Sequence, residues 1–363
     1  MTGVLEVADP VAPPPTPPSP TTGVDPRLRI GDLRLRSRAL VAPMAGITDE
    51  PFRRLAAELG AGLVTTEMVA AEAVVRSIDA SLRLRDFPPD VAPVAAQLVG
   101  GDPAVMAAAA QVCVERGAGA VDVNLGCPVR KVVGLGNGAA LARDIHRTAA
   151  VLGAMVRAVG VPVTAKMRLG WDHGSINAPE LSRALRDVGV KAVTIHGRTR
   201  NQGYSGLADW DEIARVKEAV DIPVIGSGDV EDVELMARRI REGRVDGVIL
   251  ARGIMGDLFM VRRAVAWLNG GRRLPEQAFA ERVALSRRHL DLLVAYYGDR
   301  KALKIGRKYV AWTIRGCAGA SRLRARVQEL DTRERLESLF DEALASGEHP
   351  GGRFRPVFTS GEG

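Results

Sequence analysis

The residues best placed to do chemistry lie in one stretch, residues 120–141, which reads AVDVNLGCPVRKVVGLGNGAAL. Within it, apolar Val121, Val123 and Leu125 alternate with polar Asp122 and Asn124, a pattern that predicts a strand. Pro128 ends that strand, so that Cys127 is held in the loop beyond it. Lys131 and a glycine-rich run follow, and a loop of this composition lets a flat or anionic ligand approach the backbone closely.

Cys127 is the candidate proton donor. An ordinary cysteine thiol has a pKa of about 8.5 and is protonated at pH 7, so it can give a proton to a carbanion. Free cysteines are more often small buried hydrophobes, and that interpretation fits Cys113 and Cys317. Cys127 differs because it follows a strand end, beside Asn124 and Lys131. No second Cys or His lies at the spacing of zinc ligands, so no metal site is predicted.

Short apolar runs alternate with amphipathic helical patterns from Arg27 to about Gly271. The apolar runs span residues 39–44, 62–68, 93–100, 120–126, 162–170, 192–199, 223–230 and 247–253. They look buried on both faces, as parallel strands covered by helices are. This α/β pattern predicts a (β/α)8 TIM barrel. A doubly wound open sheet is the alternative, disfavoured because no GxGxxG motif opens a helix after the first strand.

Polar or glycine-rich residues stand at nearly every predicted strand end. In a barrel of this kind the carboxyl ends of the strands form the active face. The ends carry Pro43 with Met44, Glu67, Gln97, Asn124 with Cys127, Lys166 with Arg168, His196 with Arg198, the run 226–229, and the run 251–253. A ring of this composition favours an enzyme over a structural protein.

The last two strand ends predict a site for a phosphate monoester, because backbone N–H groups in glycine-permitted turns before helices bind anions. The turns contain Ser227, Gly228, Asp229, Ala251 and Arg252. Arg252 could clamp the same phosphate, and glycines that only tighten turns are the alternative. His196 could contact the phosphate or a ring edge, with Arg198 nearby, or it could be a core histidine.

Three further features favour FMN as the ligand. The backbone of Pro43, Met44 and Ala45 could lie against a flat ring. Lys166 near the N1–O2 edge of an isoalloxazine would stabilise the anionic reduced flavin, and Gln97 can donate to and accept from its pyrimidine edge. A structural ion pair for Lys166 and a polar rim position for Gln97 are the alternatives.

After Gly271 the alternation stops, and helical patterns over roughly 276–297, 301–315 and 320–345 predict a small all-α domain, residues 272–346. Between Arg272 and Arg326 there are 14 Lys or Arg against 4 Asp or Glu, a balance of +10, whereas the whole chain carries +7. One stripe of the second helix carries Lys301, Lys304, Lys308 and Arg315. It predicts contacts with the phosphates of a polyanion, and an ordinary solvated face is the alternative.

The composition of the chain indicates the character of its two ends, its cellular setting and whether it spans a membrane. Residues 1–26 are proline-rich and residues 347–363 lack a periodic pattern, so both are expected to be loose tails. Three cysteines in 363 residues make no disulfide framework, which favours a reducing, cytoplasmic setting. No apolar run is long enough to span a membrane, and the amino-terminal sequence lacks the pattern of a signal peptide. A monomer is expected.

The sequence resembles the tRNA-dihydrouridine synthases, flavoproteins that reduce uridine in tRNA, over about residues 30–330. Their bacterial NifR3-like subgroup is the most similar. The matching motifs are APMAGITDEPFR (42–53), VAAQLVG (94–100), DVNLGCPVRKV (122–132), GNGAAL (136–141), AKMRLGW (165–171), TIHGRTR (194–200), GSGDV (226–230) and ARG (251–253).

This resemblance implies an FMN-binding barrel, residues 27–271, and a helical tRNA-binding domain. Cys127 would protonate C5 of the target uracil, a hydride from N5 of the reduced FMN would go to C6, and NADPH (or NADH) would reload the flavin. Substrate contacts are expected from Asn124, Arg168, Lys131 and Arg198. Cofactor contacts are expected from Pro43, Met44, Ala45, Gln97, Lys166, His196, Ser227, Gly228, Asp229, Ala251 and Arg252.

Three positions depart from the family pattern: Ser227 stands for the usual asparagine, residues 256–259 read GDLF, and Tyr309 follows Lys308 where a histidine is common. None touches Cys127 or Lys166. Two other functions stay open. A free-pyrimidine or dihydroorotate-type FMN oxidoreductase would share the barrel and would not need the basic helical domain. A non-catalytic RNA-binding protein would bind no flavin.

Overall fold

The computed structural model describes residues 27–76, 87–88, 91, 93–230, 233–242 and 244–348. The predicted proline-rich tail, 1–26, and residues 349–363 lie outside the described residues. The described chain opens with an antiparallel hairpin of β1 (Leu28–Ile30) and β2 (Leu33–Leu35). Its apolar side chains are buried with those at the starts of the following strands, including Ala120 and Ala192. The hairpin therefore closes the bottom of the sheet.

The main sheet is a closed barrel of eight parallel strands, as predicted. The strands are β3 (Ala39–Val41), β4 (Val64–Thr65), β6 (Val94–Val99), β7 (Ala120–Leu125), β8 (Val163–Arg168), β9 (Ala192–His196), β10 (Val224–Ser227) and β11 (Gly247–Leu250), with a short extra strand, β5 (Val69–Ala70), on β6. Pairing of β4 with both β3 and β6 completes the ring. Each of the eight predicted apolar runs contributes one barrel strand, which excludes an open sheet.

Helices cover the outside of the barrel within the described residues. They are α1 (Glu50–Glu58), α2 (Ala71–Val75), α3 (Pro103–Glu115), α4 (Arg130–Val133), α5 (Ile145–Ala158), α6 (Ala178–Asp187), α7 (Trp210–Ala219), α8 (Val233–Arg241) and α9 (Phe259–Gly270). Four begin at aspartates whose carboxylates accept backbone N–H groups, namely Asp49, Asp102, Asp144 and Asp209. Such caps stabilise a helix start by about 1 kcal/mol.

The remaining described helices pack around a second apolar cluster that includes Leu290, Val310 and Phe340. They are α10 (Phe279–Tyr297), α11 (Asp299–Thr313), α12 (Ala320–Ala325) and α13 (Arg333–Ala345). The prediction of one continuous third helix over 320–345 is wrong, because the structure has two separate helices there, α12 and α13. Thr332 caps α13 by accepting from the backbone N–H of Arg335, a start signal that the sequence already contained.

The first two residues of the predicted loose tail, Gly347 and Glu348, are bonded to the helical domain. Gly347 O accepts from the backbone N–H of Ala318 at 2.9 Å, and Glu348 forms a β-bridge with Cys317. Residues 347 and 348 therefore belong to the ordered helical segment. Within the described residues, no helix combines the length and apolar character needed to cross a membrane.

Candidate active site

Four neighbouring strands bring the predicted polar residues to one end of the barrel. β7 to β10 are parallel, and their register sets Asn124 level with Lys166 and Arg168 level with His196. His196 is in turn level with Ser227. These side chains therefore lie in adjacent rows at the barrel mouth, where the sequence had indicated a ring of functional groups.

The loop after β7 holds Cys127 in place through two polar side chains. Asn124 Oδ1 accepts hydrogen bonds from the backbone N–H groups of Gly126 at 3.1 Å and Cys127 at 2.8 Å. Arg168 Nε donates to the carbonyl oxygen of Gly126 at 3.0 Å. Gly138 packs so closely that a Cβ there would lie 3.2 Å from the Cβ of Cys127. The half-buried free thiol of Cys127 thus stands on a fixed loop at the mouth.

A chain of hydrogen bonds supports this loop from behind, and the sequence pattern did not reveal it. Asn124 Nδ2 donates to Gln97 Oε1 at 2.9 Å, and Gln97 Nε2 donates to Asp122 Oδ2 at 2.8 Å. Thr164 Oγ1 donates to the other carboxylate oxygen of Asp122 at 2.6 Å. Burial raises the pKa of Asp122, and the hydrogen bonds from Gln97 and Thr164 oppose that rise. Asp122 and Asn124 are two residues apart on β7, a spacing that places both on one face.

Gln97 has a different position from the one predicted. Its side chain is 0% exposed, and its two polar atoms bond to Asp122 and Asn124. It therefore supports Asn124 from beneath the mouth. A contact between Gln97 and a flavin edge would require the side chain to become accessible, and it stays a prediction.

Lys166 lies on β8 and lines the barrel interior together with Pro43, Asp122 and Thr164. Burial, and then the neighbouring Arg168, lower the pKa of Lys166 to about 8, while Asp122 acts in the opposite direction. The ammonium group is thus still mostly charged at pH 7 and becomes neutral within one or two pH units above it. An anionic ring edge placed beside it would be stabilised by this charge.

His196 is surrounded by cations. Burial lowers its pKa well below 6.5, and Lys166, Arg168, Arg198 and Arg252 lower it further. The imidazole is therefore neutral at pH 7, whereas the groups around it stay positive. Such a cluster at the carboxyl ends of β8 to β11 creates a positive potential suited to an anion.

Arg198 is buried in a hydrogen-bond network, and its contact with the substrate stays a prediction. It is only 3% exposed, and its Nη2 donates to both carboxylate oxygens of Asp229, at 2.8 and 3.0 Å. The same guanidinium donates to the carbonyl oxygens of Ser205 and Gly206. Asp229 Oδ2 also accepts from the backbone N–H of Ala208 at 2.7 Å. Arg198 and the Asp229 carboxylate thus join two loops beneath the site.

The turn after β10 packs tightly against His196. Gly228 has φ +113°, and a Cβ there would lie 2.6 Å from the Cβ of Ala208 and 3.0 Å from Cδ2 of His196. Only glycine fits such a turn without displacing a neighbour. Ala251 and Arg252 follow β11 directly. The two predicted phosphate turns therefore lie beside the same cationic cluster.

Tyr204, in the loop after β9, is a site residue that the sequence reasoning missed. Its side chain is 50% exposed. Its ring lies 4.0 Å from the guanidinium carbon of Arg252 and 5.5 Å from that of Arg168. An aromatic residue in an otherwise polar strand-end loop was the available signal. Leu207, 83% exposed in the same loop, adds apolar surface against which a base could pack.

Two other predicted segments flank the mouth. Pro43, Met44 and Ala45 lie just beyond β3, and Thr48 Oγ1 accepts from the backbone N–H of Met44 at 3.0 Å. Lys131 lies on α4 with its side chain exposed. Ala45 is also exposed, and both segments follow the carboxyl end of a barrel strand.

The predicted basic stripe on α11 is shorter than expected. Lys301 and Lys304 are exposed, and neither forms an ion pair with another described residue. Lys308 turns toward the barrel, where its Nζ donates to the carbonyl oxygen of Gly46. Arg315 lies in a 3-10 turn after α11 and is half-buried. Two of the four predicted phosphate contacts, Lys301 and Lys304, are therefore exposed, and Lys301 Nζ also lies 4.2 Å from the ring centre of Tyr297.

Much of the positive charge of the helical segment is neutralised within the fold. Arg287 pairs with Glu337 and Asp341, and Arg326 pairs with Glu342. These carboxylates all lie after the end of the segment in which the +10 balance was counted. Net charge along the sequence therefore overstates the charge available to a polyanion.

The other two cysteines fit the interpretation of buried hydrophobes. Cys113 is 0% exposed and Cys317 1% exposed, and burial raises the pKa of Cys113 to about 12. Among the described residues, no group of three or more His, Cys, Asp or Glu is arranged to hold a metal ion.

The barrel resembles solved structures at the level of the fold. Histamine dehydrogenase from Rhizobium sp. 4-9 superposes with a TM-score of 0.54 at 15% identity, over 73% of this chain and 50% of that one. The 6-hydroxypseudooxynicotine amine oxidase of Pseudomonas geniculata N1 gives 0.52 at 16% identity, over 73% and 52%. The chain thus spans about half the length of these two proteins.

Sequence comparison is more specific. The chain is 40% identical over 304 residues to tRNA-dihydrouridine synthase B of Pseudomonas aeruginosa, covering 84% of this chain and 91% of the relative. It is 37% identical over 328 residues to the protein of the same name from Xanthomonas campestris, covering 89% and 98%. The family model of dihydrouridine synthases matches residues 40–347, which include the Cys127 loop, the cationic cluster and the helical segment. The chain therefore belongs to the dihydrouridine synthase family and is an oxidoreductase.

Proposed function

We propose that the protein reduces the C5=C6 bond of a uridine in tRNA, with FMN as cofactor and NADPH or NADH as reductant. The observation that carries this proposal is the thiol of Cys127 on a loop fixed by Asn124 and Arg168, at the edge of a cationic pocket. The choice of tRNA as the substrate is based on the names of the relatives. A cytoplasmic location follows from that substrate.

The residues at the mouth fit FMN. Four cations around a neutral His196, one of them paired with Asp229, complement a phosphate and an anionic ring. Gly228, where a Cβ would meet Ala208 and His196, lets the backbone turn closely beside this cluster. Pro43, Met44, Ala45, Lys166, His196, Ser227, Gly228, Asp229, Ala251 and Arg252 would hold the cofactor, with Asp229 contributing its backbone. When bound, the flavin supplies the hydride that goes to C6 of the uracil.

The chain itself supplies the proton and the orientation. Asn124 and Arg168 hold the uracil, and Cys127 gives its thiol proton to C5 as the C5=C6 bond is reduced. The resulting thiolate regains a proton from solvent before the next turnover. Tyr204 and Leu207 present apolar surface that excludes water from the turned-out base. Lys131 contacts the adjoining backbone.

Direct assay of the product tests the function. The purified protein is incubated with an unmodified tRNA transcript, FMN and NADPH, and the nucleosides are analysed by mass spectrometry. We expect a nucleoside 2 Da heavier than uridine, because reduction adds two hydrogens. Reduction of free uracil or orotate with none of tRNA would instead favour the free-pyrimidine oxidoreductase. A protein without the flavin absorbance near about 450 nm would exclude both.

Lys301 and Lys304 are expected to bind tRNA phosphates. Changing both to glutamine should lower tRNA affinity about tenfold at low salt and reduce the slope of log affinity against log salt concentration by about 2, since each lost phosphate contact removes about one unit. Filter binding between 50 and 200 mM salt measures the effect.

The matched control is Arg335→Gln. Arg335 is also exposed and cationic, but it pairs with Asp331 at 2.9 Å on α13, so its loss should leave the salt slope unchanged. Equal slopes for the double variant and the wild type would show that α11 does not contact the RNA.

A further inference from the structure

The segment between β3 and α1, residues 42–49, is bonded to the helical domain. Lys308 Nζ donates to the carbonyl oxygen of Gly46. Tyr309 Oη donates to the carbonyl oxygen of Ile47 at 3.1 Å. Both donors come from α11, and both acceptors lie a few residues after Pro43–Ala45, the segment proposed to support the flavin ring. The contact therefore links the helical domain to the proposed cofactor pocket.

The barrel holds the same segment from its other side. Glu67 Oε2 accepts from the backbone N–H of Gly46 at 2.9 Å. Within the segment, Thr48 Oγ1 accepts from Met44 N at 3.0 Å. Arg53 Nη1, on α1, donates to the carbonyl oxygen of Thr48 at 2.8 Å. Gly46 itself has φ +73°, a conformation that favours glycine. The segment is thus fixed between the barrel and α11.

Charge explains why a lysine is suited to this position. Asp49 is 7% exposed and Glu67 6% exposed, and both stabilise the charged form of Lys308. Lys308 in turn opposes the rise in the pKa of Asp49, which burial brings to about 6. Removing the ammonium group would leave two nearly buried carboxylates close to each other, an arrangement that is strongly unfavourable.

The aromatic ring of Tyr309 completes the junction. It is 6% exposed, lies 4.2 Å from the ring of His289, and stacks 6.2 Å from Phe52 of α1. Its hydroxyl therefore reaches Ile47 from a ring that packing already holds. A side chain held in this way loses little entropy when it forms the hydrogen bond.

We infer that Lys308 and Tyr309 are positioning residues, which hold residues 42–49 in the conformation that binds the flavin ring. The inference rests on the proposed function. It gives α11 two separate tasks, since Lys301 and Lys304 bind RNA on the exposed side while Lys308 and Tyr309 support the cofactor segment on the other.

Flavin affinity and tRNA affinity, measured separately, test the inference. The full chain is stripped of flavin and titrated with FMN by fluorescence, and tRNA binding is measured by filter retention. Lys308→Met should weaken FMN binding at least tenfold and shift the visible flavin spectrum, with tRNA affinity within twofold of wild type. Lys304→Met, one turn away on the same helix, should give the opposite result. Lys308→Arg should restore part of the FMN affinity, because it keeps the charge.

Tyr309→Phe removes only the hydroxyl and guards against a folding defect in Lys308→Met. It should weaken FMN binding about threefold at an unchanged melting temperature of the flavin-free protein. If both variants bind FMN as the wild type does, or if Lys308→Met loses tRNA affinity as Lys304→Met does, the inference is overturned and the proposed function survives. A wild-type chain that binds no FMN overturns both.

Discussion

Replacing Cys127 by alanine is expected to slow dihydrouridine formation about 10²- to 10⁴-fold, the usual contribution of a positioned general acid. The loop should keep its shape in the variant, because Asn124 and Arg168 bind its backbone and not its thiol. FMN binding and reduction of the flavin by NADPH should therefore be unchanged. Single-turnover reaction of the prereduced protein with tRNA, followed by mass spectrometry, isolates the affected step.

Cys113→Ala is the matched control. Cys113 is 0% exposed on α3, a helix on the outside of the barrel, so its loss should cost about 1 kcal/mol of stability and leave the single-turnover rate unchanged. A Cys127→Ala protein that reacts as fast as the wild type would mean that another group protonates C5. The proposed role of the thiol would then be wrong, although the flavin pocket could still be correct.

The affinity for FMN is expected to fall as the pH rises above about 8. The pKa of Lys166 in the flavin-free protein is about 8, so the lysine is charged below that pH and neutral above it. Only the charged form attracts an anionic ligand. The dissociation constant should therefore increase by up to tenfold for each pH unit above 8, until the pKa of Lys166 in the complex is reached.

Fluorescence titration with FMN between pH 7 and 9.5 measures this dependence. The lower limit avoids the second ionisation of the phosphate, near about pH 6. His196 is neutral throughout the range, because its pKa lies well below 6.5. Lys166→Met should bind FMN more weakly at pH 7 and show no such dependence. A wild-type affinity for FMN that is constant across this pH range would show that Lys166 does not contact the ligand.

The barrel could be predicted from sequence because its signals are local. Each strand is a short apolar run whose burial on both faces leaves few polar residues, and those stand at the ends. The break between α12 and α13 was missed, although Thr332 is a recognisable helix start, because a continuous apolar periodicity was given more weight than the cap. Both observations concern residues close together in the chain.

The site was less predictable where a side chain's partner is distant in sequence. Arg198 is a residue type that often contacts substrates, yet its side chain is buried and bonds to Asp229, 31 residues away. Lys308 falls on the basic stripe of α11, yet it bonds to Gly46, 262 residues away. The periodicity of a sequence predicts the face of a helix on which a charged residue lies, but it does not predict which part of the protein that face contacts.

The hydrogen bonds behind Cys127 run in one donor-to-acceptor direction, and this direction bears on which base the site would bind. The two carboxyl oxygens of Asp122 accept from Thr164 and from Gln97 Nε2. The amide of Gln97 therefore turns its oxygen toward Asn124, which donates to it through Nδ2. Asn124 then offers a hydrogen, never a lone pair, to whatever lies before it. A keto oxygen such as O4 of uracil pairs with that hydrogen, whereas the 4-amino group of cytosine opposes it. In the proposed complex, discrimination between uracil and cytosine would therefore depend on Asp122, two residues beyond the contact with the base.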